Sequence, residues 1–240
     1  MSSSSGLMKT IFLEDSYLCE FETSVESICG DHITLNATAF YPQSGGQPSD
    51  LGVLLREKER YKILGVEAYG EGIVHVIDKA GLRVGDEVHG IIDWDRRYRF
   101  MRSHTACHIL SAVIFRETGA RITGNQIDLN RSRVDFNLEN FDKAEMRNYI
   151  DKANLIIKED LPLHIRELPR DEAIKIPDLI RLAMDIPDRE KIRVVEIEGT
   201  DLQACGGTHV KSTSEVRGIT MAKAENKGKA NRRIYFSLED

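Results

Sequence analysis

The chain has 240 residues, of which 41% are hydrophobic and 30% charged, and a formal net charge of −6. That length suits one large domain or two ordinary ones, and the composition is that of a folded globular protein. No apolar run reaches the length of a membrane span, the net acidity argues against a protein that coats long nucleic acid, and four cysteines in a chain this long do not make a disulfide framework.

Residues 1–8 read as a polar, disordered tail. They lack the basic region and apolar core of a secretory signal, so a cytoplasmic setting with reduced thiols is expected. Residues 9–94 are short, alternating and β-rich. Strands are expected over 17–25, 32–36, 52–55, 61–66, 72–77 and 87–93, separated by turn signals at Gly30-Asp31, Tyr69-Gly70, Ala80-Gly81 and Val84-Gly85-Asp86. This spacing predicts a small β-barrel or sandwich, with Cys19 and Cys29 buried in it.

Near Trp94 the period changes. Tyr98, Met101, Thr105, Ile109, Ala112, Val113 and Phe115 recur at helical spacing, with Asp95 as N-cap and Gly119 as stop. A hairpin is expected over 121–124 and 133–137. A second amphipathic helix is expected over 142–158, with Met146, Tyr149, Ile150, Ala153 and Ile157 on one face. Strands follow over 163–167, 192–197, 215–222 and 233–238, with a short helix over 170–175. The fold class is therefore α+β. A barrel domain over 9–94 precedes a domain over 95–240 whose helices pack on one antiparallel sheet.

His104 and His108 stand four apart mid-helix, so their imidazoles lie one above the other on one face. Cys205 and His209 repeat the spacing around Gly206-Gly207. Either pair alone is weak, because helical histidines are usually ordinary buried polar residues. Two matched pairs in a chain with seven histidines point to one soft site for a single Zn²⁺ per chain. Cys107 reads as a small core residue, and His32, His75, His89 and His164 as structural. Four protein ligands close a zinc site, whereas catalysis needs an open position, so a catalytic role requires that one of the four be a weak ligand or that the coordination expand. Nucleic acid has two candidate contacts. Arg96, Arg97, Arg99 and Arg102 crowd the start of the metal helix, and Lys223, Lys227, Lys229, Arg232 and Arg233 surround Gly228. The second is preferred, because a flexible Gly-Lys loop can track a single-stranded end.

The pairs His104-Thr105-Ala106-Cys107-His108 and Cys205-Gly206-Gly207-Thr208-His209 resemble the metal motifs of the alanyl-tRNA synthetase editing domain and of the free-standing alanyl-tRNA editing proteins. A third segment, Ala39-Phe40-Tyr41-Pro42-Gln43-Ser44-Gly45-Gly46-Gln47-Pro48-Ser49-Asp50-Leu51-Gly52, is similar to the Gly-Gly loop that precedes this domain in the family. Gln43 stands where the family often has Glu, and Leu51 where it usually has Thr or a similar residue. The threonyl-tRNA synthetase editing domain shares the metal motifs but is not expected to carry the Gly-Gly barrel.

The resemblance spans nearly the whole chain. It implies a stand-alone deacylase acting on the acceptor end of tRNA(Ala) that carries Ser, with Gly as a second substrate. It aligns Thr123 and Gln126 with polar substrate-side positions, and Gly45 and Gly46 with backbone that approaches the substrate, although hairpin polarity and a tight turn account for the same residues. The expected partner is tRNA, neither DNA nor a membrane, and the chain is expected to be a monomer or a weak homo-oligomer. A non-catalytic, zinc-stapled RNA-binding module and a zinc hydrolase of another small ester remain open alternatives.

Overall fold

Side chains along a strand point to opposite faces in turn, so alternating apolar and polar residues make the first half β-structure. The computed structural model describes residues 8–70, 72–140, 142–180, 189–228 and 230–240. Its first half forms β1 Glu20–Cys29, β2 His32–Leu35, β3 Gly52–Arg56, β4 Glu59–Tyr69, β5 Gly72–Ile77 and β6 Glu87–Ile92. These close into an antiparallel barrel in the order β1-β2-β5-β4-β3-β6, which leaves no free edge. Val25, Ile33, Leu35, Leu54, Tyr61, Ile63 and Val66 supply part of its core.

Cys29 departs from expectation. It ends β1 at the exposed Gly30 turn, and Cys19 is half-buried, so neither belongs to the core. Of the expected polar tail, residues 1–7 lie outside the described residues, and Met8 packs against the barrel core.

The segment joining β2 to β3 is held by a buried knot. Tyr41 donates its backbone N–H to Asp50 Oδ2 at 2.6 Å, and Asp50 N–H returns to the Tyr41 carbonyl at 3.0 Å. Arg97 then meets both oxygens of Asp50 through Nε, at 2.9 and 3.0 Å. Its other nitrogens donate to the Ser16 and Ala39 carbonyls at 2.9 and 2.6 Å. Arg97 and Asp50 are both 0% exposed. Gly52 closes the motif because a Cβ there would lie 2.2 Å from the Ile91 carbonyl oxygen and 2.7 Å from the Phe40 ring.

The chain divides into two compact units, Met1–Tyr98 and Arg99–Asp240. Helix α1, Trp94–Thr118, has residues in both. Its N-cap is Asp93 rather than Asp95: the Asp93 carboxylate accepts the Arg96 N–H at 3.2 Å, while Asp95 lies in the first turn. At the other end Gly119 N–H closes on the Phe115 carbonyl at 2.8 Å. Every residue from 101 to 114 is buried, so the middle of α1 has no solvent face. That differs from the one-sided stripe expected.

The second unit contains β7 Ile122–Gln126, β8 Ser132–Phe136, α2 Lys143–Lys158, β9 Leu163–Pro169, β10 Lys191–Ile197, β11 Asp201–Ala204, β12 Ile219–Asn226 and β13 Arg232–Leu238. Asp142 caps α2, accepting the Ala144 N–H at 2.7 Å. The helix buries the five residues anticipated, and Asn154 ties it to the Ile219 backbone at 2.8 and 2.9 Å.

The expected single sheet is two among the described residues: four strands in the order β12-β13-β8-β7, and three in the order β9-β10-β11. Alternation locates a strand but does not choose its partner, and β10 pairs with both β9 and β11. The strand expected over 215–222 also shifts. Ser212 and Glu215 form a capping box on a 3₁₀ turn, Thr213–Val216, and β12 starts only at Ile219. Among the described residues no helix is long and apolar enough to cross a membrane.

Candidate metal centre

Helix α1 projects His104 and His108 from adjacent turns, 5% and 7% exposed. β11 delivers the chain to Cys205, and the bend at Gly206-Gly207 turns it back so that His209, 1% exposed, faces the same point. The imidazole centroids lie 5.3, 4.4 and 4.7 Å apart. The ligand atoms of all four residues fall within 4.8 Å of one another. Cys205 Sγ is 3.6 Å from His104 Nε2 and 3.3 Å from His209 Nε2. Tetrahedral zinc with ordinary Zn–S and Zn–N bonds requires an S···N edge of about 3.5 Å. The donor set and its spacing therefore fit such an ion.

The surroundings aim the donors. His108 Nδ1 lies 3.2 Å from Asp201 Oδ2, and the Gln203 amide donates to that same oxygen at 2.7 Å. Thr105 Oγ1 is 3.1 Å from His209 Nδ1. Both rings are thereby oriented with Nε2 inward, as outer carboxylates and hydroxyls do around metal-ligating histidines. The Gly207 N–H donates to Cys205 Sγ at 3.4 Å.

Protonation states agree with ligand chemistry. Burial and the adjacent His104 push His209 down to about 3, keeping it neutral. Burial disfavours a charged Cys205 sulfur, but His104 overcomes this and holds its pKa well below the ordinary thiol value. Burial likewise opposes charge on His108, yet Asp201 and Cys205 push it up to about 10. Cys107 is buried outside this group and burial pushes its thiol up to about 12. Asp201, Gln203 and Thr105 escaped the sequence reading. Only a position close to the paired motifs hinted at them.

The other anticipated residues lie as follows. Thr123 and Gln126 are exposed on β7; Thr123 Oγ1 donates to Asn231 Oδ1 at 3.2 Å, and Gln126 Oε1 accepts from Arg133 Nε at 3.1 Å. Gly45 and Gly46 form the exposed tip of a tight turn in the first unit. Their φ values are +57° and +82°, which side chains disfavour, and Ser44 and Gln47 exchange backbone hydrogen bonds across them at 3.1 and 2.8 Å.

Lys223 and Lys227 both pair with Glu225, and hold its carboxyl down at about 2. Lys229 lies outside the described residues. Arg232 is 4% exposed and donates to Asn226 Oδ1 and to the Gly228, Asn231 and Glu139 carbonyls. Arg233 grips Asp135 at 2.6 and 2.8 Å. In the first basic cluster, Arg97 is buried in the Asp50 knot, and Arg102 is buried and donates to the Val216 and Glu239 carbonyls.

Residues 192–235 match the model of the threonyl and alanyl tRNA synthetase second additional domain, and residues 8–96 match that of class II (A) tRNA synthetases. An alanyl-tRNA editing protein of the AlaX-M type from Methanosarcina barkeri is 46% identical across 98% of this chain and 100% of its own length. This chain belongs to the alanyl-tRNA editing family. The AlaX-M protein of Saccharolobus solfataricus is also 46% identical, across 97% of this chain and all of its own. An alanine–tRNA ligase from Pyrococcus abyssi is 38% identical across 95% of this chain, which corresponds to 26% of that longer enzyme.

Proposed function

We propose that this member of the editing family is a cytoplasmic hydrolase that deacylates mischarged tRNA(Ala). Seryl-tRNA(Ala) is its main substrate and glycyl-tRNA(Ala) a second, and one zinc per chain is held by His104, His108, Cys205 and His209. The observation that carries this reading is the convergence of three imidazoles and one sulfur at zinc spacing in a chain of that family. A zinc ion in this site supplies a positive charge that polarises an ester carbonyl or lowers the pKa of a nearby water. Asp201 and Thr105 fix the direction of the His108 and His209 rings. Cys205 is the least buried of the four, with the exposed Gly206 next to it, so substrate approaches from that side.

Seryl and alanyl esters differ by one hydroxyl. An apolar pocket reads an added hydroxyl weakly, whereas a site that hydrogen-bonds it discriminates well. Thr123 and Gln126 supply such polar groups. Gly45 and Gly46 offer bare backbone to the aminoacyl end, and Lys223, Lys227 and Lys229 take RNA phosphates. Arg232 shapes their loop from below through its carbonyl bonds, and Arg233 acts from the neighbouring strand.

The test is hydrolysis of Ser-, Gly- and Ala-tRNA(Ala) by the wild type and by His104→Ala and Cys205→Ala. Rapid loss of the seryl ester, sparing of the alanyl ester and inactive variants are expected. Full activity in both variants overturns the reading, and a folded, zinc-bound wild type that hydrolyses no ester makes the chain a binding module instead.

A further inference from the structure

The solvent face of the four-stranded sheet carries a feature that the metal centre does not use. Strand register sets Gln126, Arg133, Tyr235 and Lys223 side by side across β7, β8, β13 and β12. The next row is Gly124, Asp135, Arg233 and Glu225. Val134, Phe136, Ile234 and Phe236 fill the opposite, buried face. A groove of about 520 Å³ opens on the outer face, lined by Gln126, Asp128, Asn130, Arg131, Arg133 and Tyr235.

Arg131 lies over the Tyr235 ring, 4.7 Å from its centroid, and Arg233 is 5.8 Å away. Arg131 is exposed, and among the described residues its guanidinium has no carboxylate partner. The carboxylates nearby are already engaged. Asp128 accepts the Asn130 N–H at 2.9 Å, Asp135 is gripped by Arg133 and Arg233, and Glu225 by Lys223 and Lys227. Arg131, Arg133, Arg233, Lys223 and Lys227 set against Asp128, Asp135 and Glu225 leave the face with two surplus positive charges, on a chain whose net charge is −6.

We propose that this face is a platform for unpaired ribonucleotides: a base stacks on the Tyr235–Arg131 pair, and flanking phosphates lie on Arg133, Arg233 and Lys223. An aromatic ring among cations on an open sheet is the chemistry that takes splayed bases of single-stranded RNA, which duplex RNA keeps stacked within itself. The proposal deepens the tRNA reading and rests on it for the identity of the RNA.

The test is fluorescence anisotropy of the full chain with a labelled single-stranded oligoribonucleotide, and with a blunt duplex of the same sequence as control. The single strand binds more tightly than the duplex. Tyr235→Ala and Arg131→Ala each weaken single-strand binding on the order of tenfold, the loss of one stacked base. Tyr235→Phe retains binding because the ring remains. Binding indifferent to Tyr235→Ala and Arg131→Ala, equal loss in Tyr235→Phe, or preference for the duplex overturns the platform. Hydrolysis of seryl-tRNA(Ala), measured on the same preparations, separates the two readings. Hydrolysis with binding indifferent to Tyr235 removes the platform and leaves the editing reading standing. Tyr235-dependent binding without hydrolysis does the reverse.

Discussion

The two units each bury a polar cluster, and the clusters differ in their chemistry. In the first unit the Arg97 guanidinium is met by a carboxylate and two carbonyls, and Asp50 is met by Arg97 and the Tyr41 N–H. Charge and hydrogen-bonding capacity are answered from within, as a buried ion pair requires. In the second unit three imidazoles and a sulfur face one point, and Asp201 and Thr105 meet the outer nitrogens of His108 and His209. The first cluster serves shape, and the second carries the donor set of a cation site. The arginines near the start of α1 are spent on carboxylates and carbonyls, whereas among the described residues Arg131 has no carboxylate partner.

The largest effect expected from this contrast is in the second unit. Cys205→Ser combined with His209→Ala removes half of the donors and should cost on the order of a thousandfold or more in hydrolysis, with metal content near zero by elemental analysis. Denaturation of the barrel should be unaffected. Asp50→Ala does the opposite. It strands a buried guanidinium and should cost about 3–5 kcal/mol of stability in urea denaturation, leaving the metal content at the wild-type value. Loss of metal in Asp50→Ala would end the distinction drawn between the two clusters.

Acid gives the next effect. His75 is fully buried against Thr38 Oγ1 at 2.8 Å, and burial pushes its pKa from 6.5 down to about 4. The unfolded chain therefore binds a proton that the folded chain refuses between those values. Stability is complete above pH 6.5 and falls as pH drops toward 4, by up to about 3 kcal/mol. Urea midpoints measured at pH 7 and pH 4.5 check this, and a His75→Phe variant that retains the same slope would assign it elsewhere. The smallest effect is at the edge of the metal cluster. Asp201→Asn keeps the size of the side chain but weakens its hold on His108, and should lower zinc affinity roughly ten- to a hundredfold in competition with a chelator dye.

Much of this was legible in the sequence where the signal is local. Alternation marked the barrel strands, the 3.6 period marked α1 and α2, and two spacings of four marked the quartet that the fold brings within 4.8 Å. What was missed depends on distant partners. Nothing near Lys191–Ile197 says that it pairs with Asp201–Ala204 and stays out of the four-stranded sheet. Arg97 and Arg102 read as surface charge until Asp50, 47 residues away, and the Val216 carbonyl, 114 away, are seen to meet them. Asp201 looks like an ordinary loop acid until His108 is set beside it. The Ser212-to-Glu215 capping box is a local signal for a turn, and it outweighs the alternation that suggests a strand over 215–222.

The central claim is that the His104, His108, Cys205 and His209 cluster holds a zinc ion on which seryl-ester hydrolysis depends. Its most direct test is to strip the protein with a chelator and follow Ser-tRNA(Ala) hydrolysis while zinc is titrated back. The account predicts no hydrolysis in the stripped protein and a rate that climbs and then breaks at one zinc per chain. Full hydrolysis by the metal-free protein would contradict it.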